Sequence, residues 1–249
     1  MLKKLTKYEL KKTWKIPALI CGIILGTGLL LGLLHIIGLL GSHETGDTQN
    51  VDLLLLISFP LIIILSLYLI IRYYKSLYAS EGYFSFTLPA SIAEVVSSKM
   101  FAGTIWGIAV MAAYWIALNL SSPGPLWETH SFGETCMAIS FIAFTFMFIV
   151  SNLWISYFSV TVGKSWKKHK LAGTIICYFF TCFVVGIIAL ILSGLLRSFL
   201  YRTGGNNDGL ITDVQESITA AAGSICAIIL CFIHKRVSIS ITEKTLNLE

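Results

Sequence analysis

The sequence predicts an all-α membrane protein of six transmembrane helices, and three observations carry that expectation. Hydrophobic residues make up 56% of the 249-residue chain, charged residues only 12%, and the mean hydropathy is +0.81; a soluble domain carries roughly a quarter charged residues. Six continuous apolar runs approach or exceed the ~20 residues a helix needs to cross the hydrocarbon. They do not alternate apolar with polar residues, as a membrane β-barrel would require. All but two of the 18 Lys and Arg, the exceptions being Arg197 and Arg202, fall on one side of the six-span topology. Lys and Arg concentrate in cytoplasmic segments, so both termini and the connectors 72–99 and 161–170 are expected inside the cell, in a plasma membrane of bacterial type. The net charge of +5 is then a topology signal with some attraction to the lipid bilayer surface, and it calls for no nucleic acid.

The chain reads as one transmembrane domain, 1–249, with no internal repeat and no connector long enough for a soluble module. Residues 1–16, MLKKLTKYELKKTWKI, predict a helix lying on the cytoplasmic interface. Leu2, Leu5, Tyr8 and Ile16 share one face at 100° per residue, and Lys4, Lys7, Lys11 and Lys15 point elsewhere. Lys12 interrupts that stripe, and Leu10 and Trp14 lie outside it.

The first span, Pro17–Leu40, is too long for a cleaved signal, and no small-x-small site follows it. Its Gly22, Gly26, Gly28 and Gly32 place two GxxxG spacings on one helix. Small residues let helices approach closely, so close packing is expected, against this chain or a second copy. The second span is Leu53–Ile71, with a kink expected at Pro60. Tyr73 and Tyr74 just beyond it fit an aromatic belt at the inner interface.

The connector 72–99 contains YASEGYFSFTLPAS at 78–91. Ser91 and Glu94 have capping-box spacing, in which each side chain bonds the other residue's backbone N–H. Pro89 disfavours helical geometry at Leu88. A new helix should therefore start at 91, leaving 78–88 as a separate element, and run through Lys99 into the third span, Met100–Leu120. The fourth and fifth spans, Met137–Val160 and Leu171–Leu196, are long enough to tilt or break. The outer segment 197–217 is either a dip into the interface or an exposed loop. The last span, Ser217–Ile233, is short.

Chemistry is hard to find. Gly163-Lys164-Ser165 lacks the earlier glycine of a phosphate-binding loop, Phe158 standing in its place. The six cysteines, Cys21, Cys136, Cys177, Cys182, Cys226 and Cys231, lie in or beside spans without a CxxC pair and read as apolar thiols. No HExxH, GxSxG or Cys/His cluster occurs, and of the five histidines only His35 falls within a predicted span. No catalytic, cofactor-binding or metal-binding residue is assigned. No span carries Asp, Glu, Lys or Arg in its middle, whereas proton- and ion-driven carriers place such groups there. Any transport is then driven from outside the chain.

With the connector placed between spans two and three, the sequence resembles the membrane (permease) subunits of ABC-2 type ABC exporters, in particular small bacterial six-span members. The resemblance rests on Glu81-Gly82-Tyr83-Phe84-Ser85-Phe86-Thr87-Leu88-Pro89-Ala90-Ser91 with Lys99 following, and on the opening Lys7-Tyr8-Glu9-Leu10-Lys11. The motif covers some 20 residues, and the topology extends over the whole chain. Many such permeases have a basic residue shortly after the serine, where this chain has Ala93 and Glu94. The resemblance implies a coupling helix in 72–99, with Glu81, Gly82, Tyr83, Phe84, Phe86, Thr87, Leu88 and Pro89 docking a nucleotide-binding ATPase subunit. It implies a homo- or heterodimer of permeases, ATP and Mg held by the partner subunits, and no cofactor on this chain. The aromatics suit docking because they offer large contact area at low entropy cost. Other readings are a non-transporting sensor or immunity protein, a substrate-capture subunit, and, with less support, an intramembrane enzyme.

Overall fold

In hydrocarbon a backbone must satisfy its own N–H and C=O groups, and the helix is the conformation in which a single segment does so. The computed structural model describes residues 1–37, 46–79, 90–121, 132–166, 169–204 and 209–246. These form seven helices: α1 (Leu2–Thr13), α2 (Lys15–Ile36), α3 (Gly46–Tyr78), α4 (Ile92–Ser121), α5 (Phe132–Ser165), α6 (Lys170–Gly204) and α7 (Gly209–Leu246). No strand occurs among the described residues. Helices α2 to α7 each contain a stretch long and apolar enough to cross a membrane, so the chain is a multi-pass membrane protein.

The helices outrun the apolar segments that predicted them. α3 is continuous through Pro60. Within the segment 197–217, residues 197–204 continue α6 and 209–217 open α7, so both flanks of its turn-rich centre are helical. α7 therefore reaches 38 residues, well beyond the short span expected.

Two groups of helices meet along one seam. α1 and α2 lie on α4, α6 and α7 lie on α5, and α4 packs on α5 while α3 touches α2, α4 and α5. The core draws on Ile20 and Ile24 of α2, Leu65 and Tyr73 of α3, Val96 and Met100 of α4, and Leu153 and Tyr157 of α5. Tyr73 is only 2% exposed and stacks on Tyr157 with ring centroids 4.5 Å apart. It is thus a core residue rather than a belt residue, because α3 turns that face toward α5. Tyr74, the next residue, remains exposed.

Glycines set how closely two of these pairs approach. A Cβ on Gly28 would lie 2.6 Å from Cβ of Ala117, and one on Gly32 would meet the carbonyl oxygen of Leu120, so the second GxxxG spacing forms the α2–α4 contact. Gly22 and Gly26 have open space where a Cβ would stand; the first spacing packs against nothing among the described residues. A further pair, Gly103 and Gly107, admits Tyr157 and Leu153 into the α4–α5 seam. Trp154 there donates through Nε1 to Thr104 Oγ1 at 2.8 Å.

Forcing a methyl group into a packed seam costs about 1–3 kcal/mol, whereas alanine in place of an open helical glycine gains up to about 1 kcal/mol. Gly28→Ala/Gly32→Ala should therefore lower the melting temperature of the purified protein in lipid nanodiscs, and Gly22→Ala/Gly26→Ala should hold or raise it. Equal melting temperatures for the two double variants would contradict this assignment of the α2–α4 contact.

Candidate functional site

The residues of the connector that the sequence singled out, Glu81, Gly82, Tyr83, Phe84, Phe86, Thr87, Leu88 and Pro89, lie outside the described residues. What the structure gives is the frame on either side of them.

On the leading side, α3 ends at Tyr78. Its hydroxyl lies 3.1 Å from Thr242 Oγ1 of α7, and Lys164 of α5 places Nζ 6.0 Å from the centre of its ring. One turn earlier, the Tyr73 hydroxyl is 3.3 Å from Thr161 Oγ1 of α5. The chain thus enters the connector from a point held to α5 and α7.

On the trailing side, the capping box forms as expected. The backbone N–H of Glu94 donates to Ser91 Oγ at 3.2 Å, and that of Ser91 donates to Glu94 Oε2 at 3.3 Å. Helix α4 then starts at Ile92, and two turns in, Lys99 Nζ meets Glu9 Oε1 of α1 at 2.6 Å. Their side chains are only 6% and 13% exposed. One turn along α1, Thr13 accepts from Trp106 Nε1 at 3.1 Å while donating to the Glu9 carbonyl at 2.8 Å. Glu9 and Thr13 are four residues apart on α1, and Lys99 and Trp106 are seven apart on α4, so both pairs face one another along a single line. The chain leaves the connector at a point held to α1.

This docking uses a face of α1 that overlaps the expected apolar stripe only at Leu2 and Leu5. Tyr8 is 64% exposed and Ile16 is exposed as well. The face toward the bundle instead carries Leu2, Leu5, Thr6, Glu9, Leu10 and Thr13. The hydrophobic stripe missed the rest of that face because Glu9 and Thr13 reach buried partners on another helix. Glu9 was a visible clue, as the single acid among six lysines in the first sixteen residues.

Gly163-Lys164-Ser165 forms the last turn of α5, with Gly163 against Thr174 of α6, which leaves no loop to cradle a phosphate. Among the described residues no group of three or more His, Cys, Asp or Glu could hold a metal ion. His234 is buried with its ring 5.0 Å from that of Phe158.

A second feature is a groove of about 560 Å³ between α3 and α6, floored by α5. Among the described residues the backbones of α3 and α6 do not approach one another across it. Asn152, Ser156 and Ser159 of α5, Ser66 of α3, and Thr174 and Tyr178 of α6 place polar groups along a lining that is otherwise apolar and contains no charged side chain.

No family model, curated protein or solved structure matches the chain. What the site can do is therefore argued from its own residues.

Removing one partner of a buried ion pair strands the other charge, at about 3–5 kcal/mol, while replacing both with apolar residues is far milder. Glu9→Leu alone should lower the melting temperature markedly, and Glu9→Leu/Lys99→Met should recover most of the loss. Additive losses in the double variant would show that the two residues do not act as a pair.

Proposed function

We propose that this chain is the membrane subunit of an ATP-driven ABC exporter, working as a dimer with itself or a sister permease and with separate nucleotide-binding subunits. Three considerations support the reading. The 81–91 motif resembles the coupling segment of ABC-2 type permeases. Six helices are long and apolar enough to cross the bilayer. The observation that carries the proposal is the Glu9–Lys99 contact at 2.6 Å. It joins the two stretches on which the resemblance rests, the Lys7–Lys11 opening and the lysine that follows the connector.

In this reading both termini and the connector face the cytoplasm, as the distribution of Lys and Arg implies. ATP-driven closure of the partner subunits pulls on 80–89. The pull divides between two attachments: through Tyr78 to α5 and α7, and through the capped start of α4 to α1. Such a load bears on the α4–α5 seam between the two groups of helices and re-packs them as bodies, the hinge and shear motion typical of switching proteins. The chain itself carries out no covalent chemistry, and ATP and Mg stay with the partner.

Glu81→Ala, and separately the triple Tyr83→Ala/Phe84→Ala/Phe86→Ala, should sharply reduce co-purification of an ATPase bearing a GxxxxGK[ST] loop from native membranes. Melting temperature and monodispersity should stay at wild-type values. Undiminished recovery of the ATPase with both variants would remove the coupling assignment.

A further inference from the structure

The groove between α3 and α6 is graded along its length. At one end it is lined by Phe59 and Ile63 of α3 and Phe148 of α5. Its polar side chains, Asn152 and Tyr178 foremost, all lie toward the α5–α6 turn, where they stand among the apolar Leu67, Ile70, Val160 and Ile175. α3 and α5 both run toward that turn end of the bundle, so the gradient lies along the bundle rather than across it.

Most of these polar groups retain bonding capacity. The hydroxyls of Ser66, Ser156 and Thr174 donate to carbonyls of their own helices at 2.9, 2.8 and 3.0 Å, which leaves their oxygens free to accept. Asn152 uses one amide hydrogen on the Phe148 carbonyl at 2.9 Å. Its Oδ1 is 3.5 Å from the Tyr178 hydroxyl, the outer limit of a hydrogen bond. Asn152 thus offers a second amide hydrogen and a weakly engaged oxygen, with the Tyr178 hydroxyl beside it.

We propose that this groove is a binding site for an uncharged single-chain amphiphile entering from the bilayer. Its hydrogen-bonding head pairs with Asn152, Ser156 and Tyr178, and its hydrocarbon chain lies along Phe59, Ile63 and Phe148. The volume suits one such molecule, since ligand sites run from about 300 to 1,000 Å³. The lining favours a neutral head because no charged side chain stands ready to compensate an ion removed from water. Among the described residues the α3 and α6 backbones stand apart, and the groove between them lies on the lipid-facing side of α5, so the ligand is proposed to enter from the hydrocarbon. The site belongs to the isolated chain and does not depend on an ATPase partner.

The test uses the full chain alone, in phosphatidylcholine nanodiscs, with a monoacylglycerol carrying a diazirine in its acyl chain. Photolabelling followed by peptide mass spectrometry is expected to place the adducts on α3, α5 and α6 around Phe59, Phe148 and Phe179. Excess unlabelled monoacylglycerol should displace the probe. Asn152→Leu should weaken labelling roughly tenfold, the effect of losing one well-placed buried hydrogen-bonding group, and Asn119→Leu on α4 should not change it. The same diazirine chain bearing a carboxylate or a quaternary ammonium head should label the groove weakly.

Adducts spread over the lipid-facing residues without competition would overturn the site. So would a groove that stays unlabelled, as when a second copy of the chain covers it. Equal labelling by the charged probes, or no effect of Asn152→Leu in a variant with wild-type melting temperature, would overturn the recognition of a neutral head. Because no ATPase is present, none of these outcomes bears on the coupling assignment.

Discussion

A lysine ammonium two turns inside a membrane helix needs an anion within reach, and Lys99 finds one only because α1 folds back against α4. Lys99 and Glu9 meet at 2.6 Å with both side chains almost wholly buried. An ion so removed from water is tolerable only with a close partner. That requirement fixes which face α1 presents, and the fixed face sets the course of the next helix. α1 passes into α2 through the single residue Trp14, whose backbone is itself helical, so α2 has little freedom in direction once α1 is docked. Pro17 falls in the first turn of α2, where its missing N–H leaves no intrahelical bond unmade. α2 then runs along α4, and at its far end Gly28 and Gly32 allow the backbones to meet. The ion pair from α1 at one end and the glycines of α2 at the other hold the two helices to α4.

The second pair of helices is held without charge. Along the α4–α5 seam Gly103 and Gly107 admit Tyr157 and Leu153, and Tyr157 in turn stacks on Tyr73 of α3. Hydroxyls within the spans mostly donate to carbonyls of their own helices, as Ser98, Thr104, Ser159 and Thr161 do at 2.8 to 2.9 Å. This meets the demand of the hydrocarbon locally and leaves packing shape, with a few bonds such as Trp154 to Thr104 and Tyr73 to Thr161, to hold the helices together. One side of the molecule is therefore tied by an ion pair and the other by shape and uncharged hydrogen bonds, and the connector 80–89 joins a helix anchored on each.

Much of the architecture was legible because hydrophobicity over some 20 residues is a strong signal. The start of α4 was equally legible: a capping box is local chemistry, and Ser91 and Glu94 pair as their spacing implies. Contacts between helices were not. Nothing in the composition of the first span separates Gly28 and Gly32, which pack, from Gly22 and Gly26, which do not; that depends on where Ala117 and Leu120 arrive from another helix. Gly103 and Gly107 have the same spacing and were as readable as the first two pairs, yet what they admit is side chains, Tyr157 and Leu153, rather than a backbone. Tyr73 looked like an interface residue because it follows the apolar run, but its rotation about α3 places it on Tyr157. The groove was invisible for the same reason. Ser66, Asn152 and Tyr178 are ordinary one at a time and become a site only when three helices bring them together.

The helix that closes the groove is also the least buried of the six apolar helices. Among its described residues only Gly173 of α6 is buried, while Phe179, Phe180 and Phe183 are each about two-thirds exposed. α6 is fastened chiefly near its start, where Gly163 of α5 meets Thr174 and Trp166 covers Gly173. Beyond Phe179, which lines the groove, Phe180 and Phe183 face outward, and segments with few buried contacts are those that move at low energy. The groove thus has two firm walls, α3 and α5, both contributing to the core through residues such as Leu65, Leu69, Leu153 and Val160, and one yielding wall. A shift of α6 about its start would change the width of the groove without disturbing either of the seams that hold α4. Access to the groove and the integrity of the bundle are therefore governed by different contacts, and one can change while the other stays fixed.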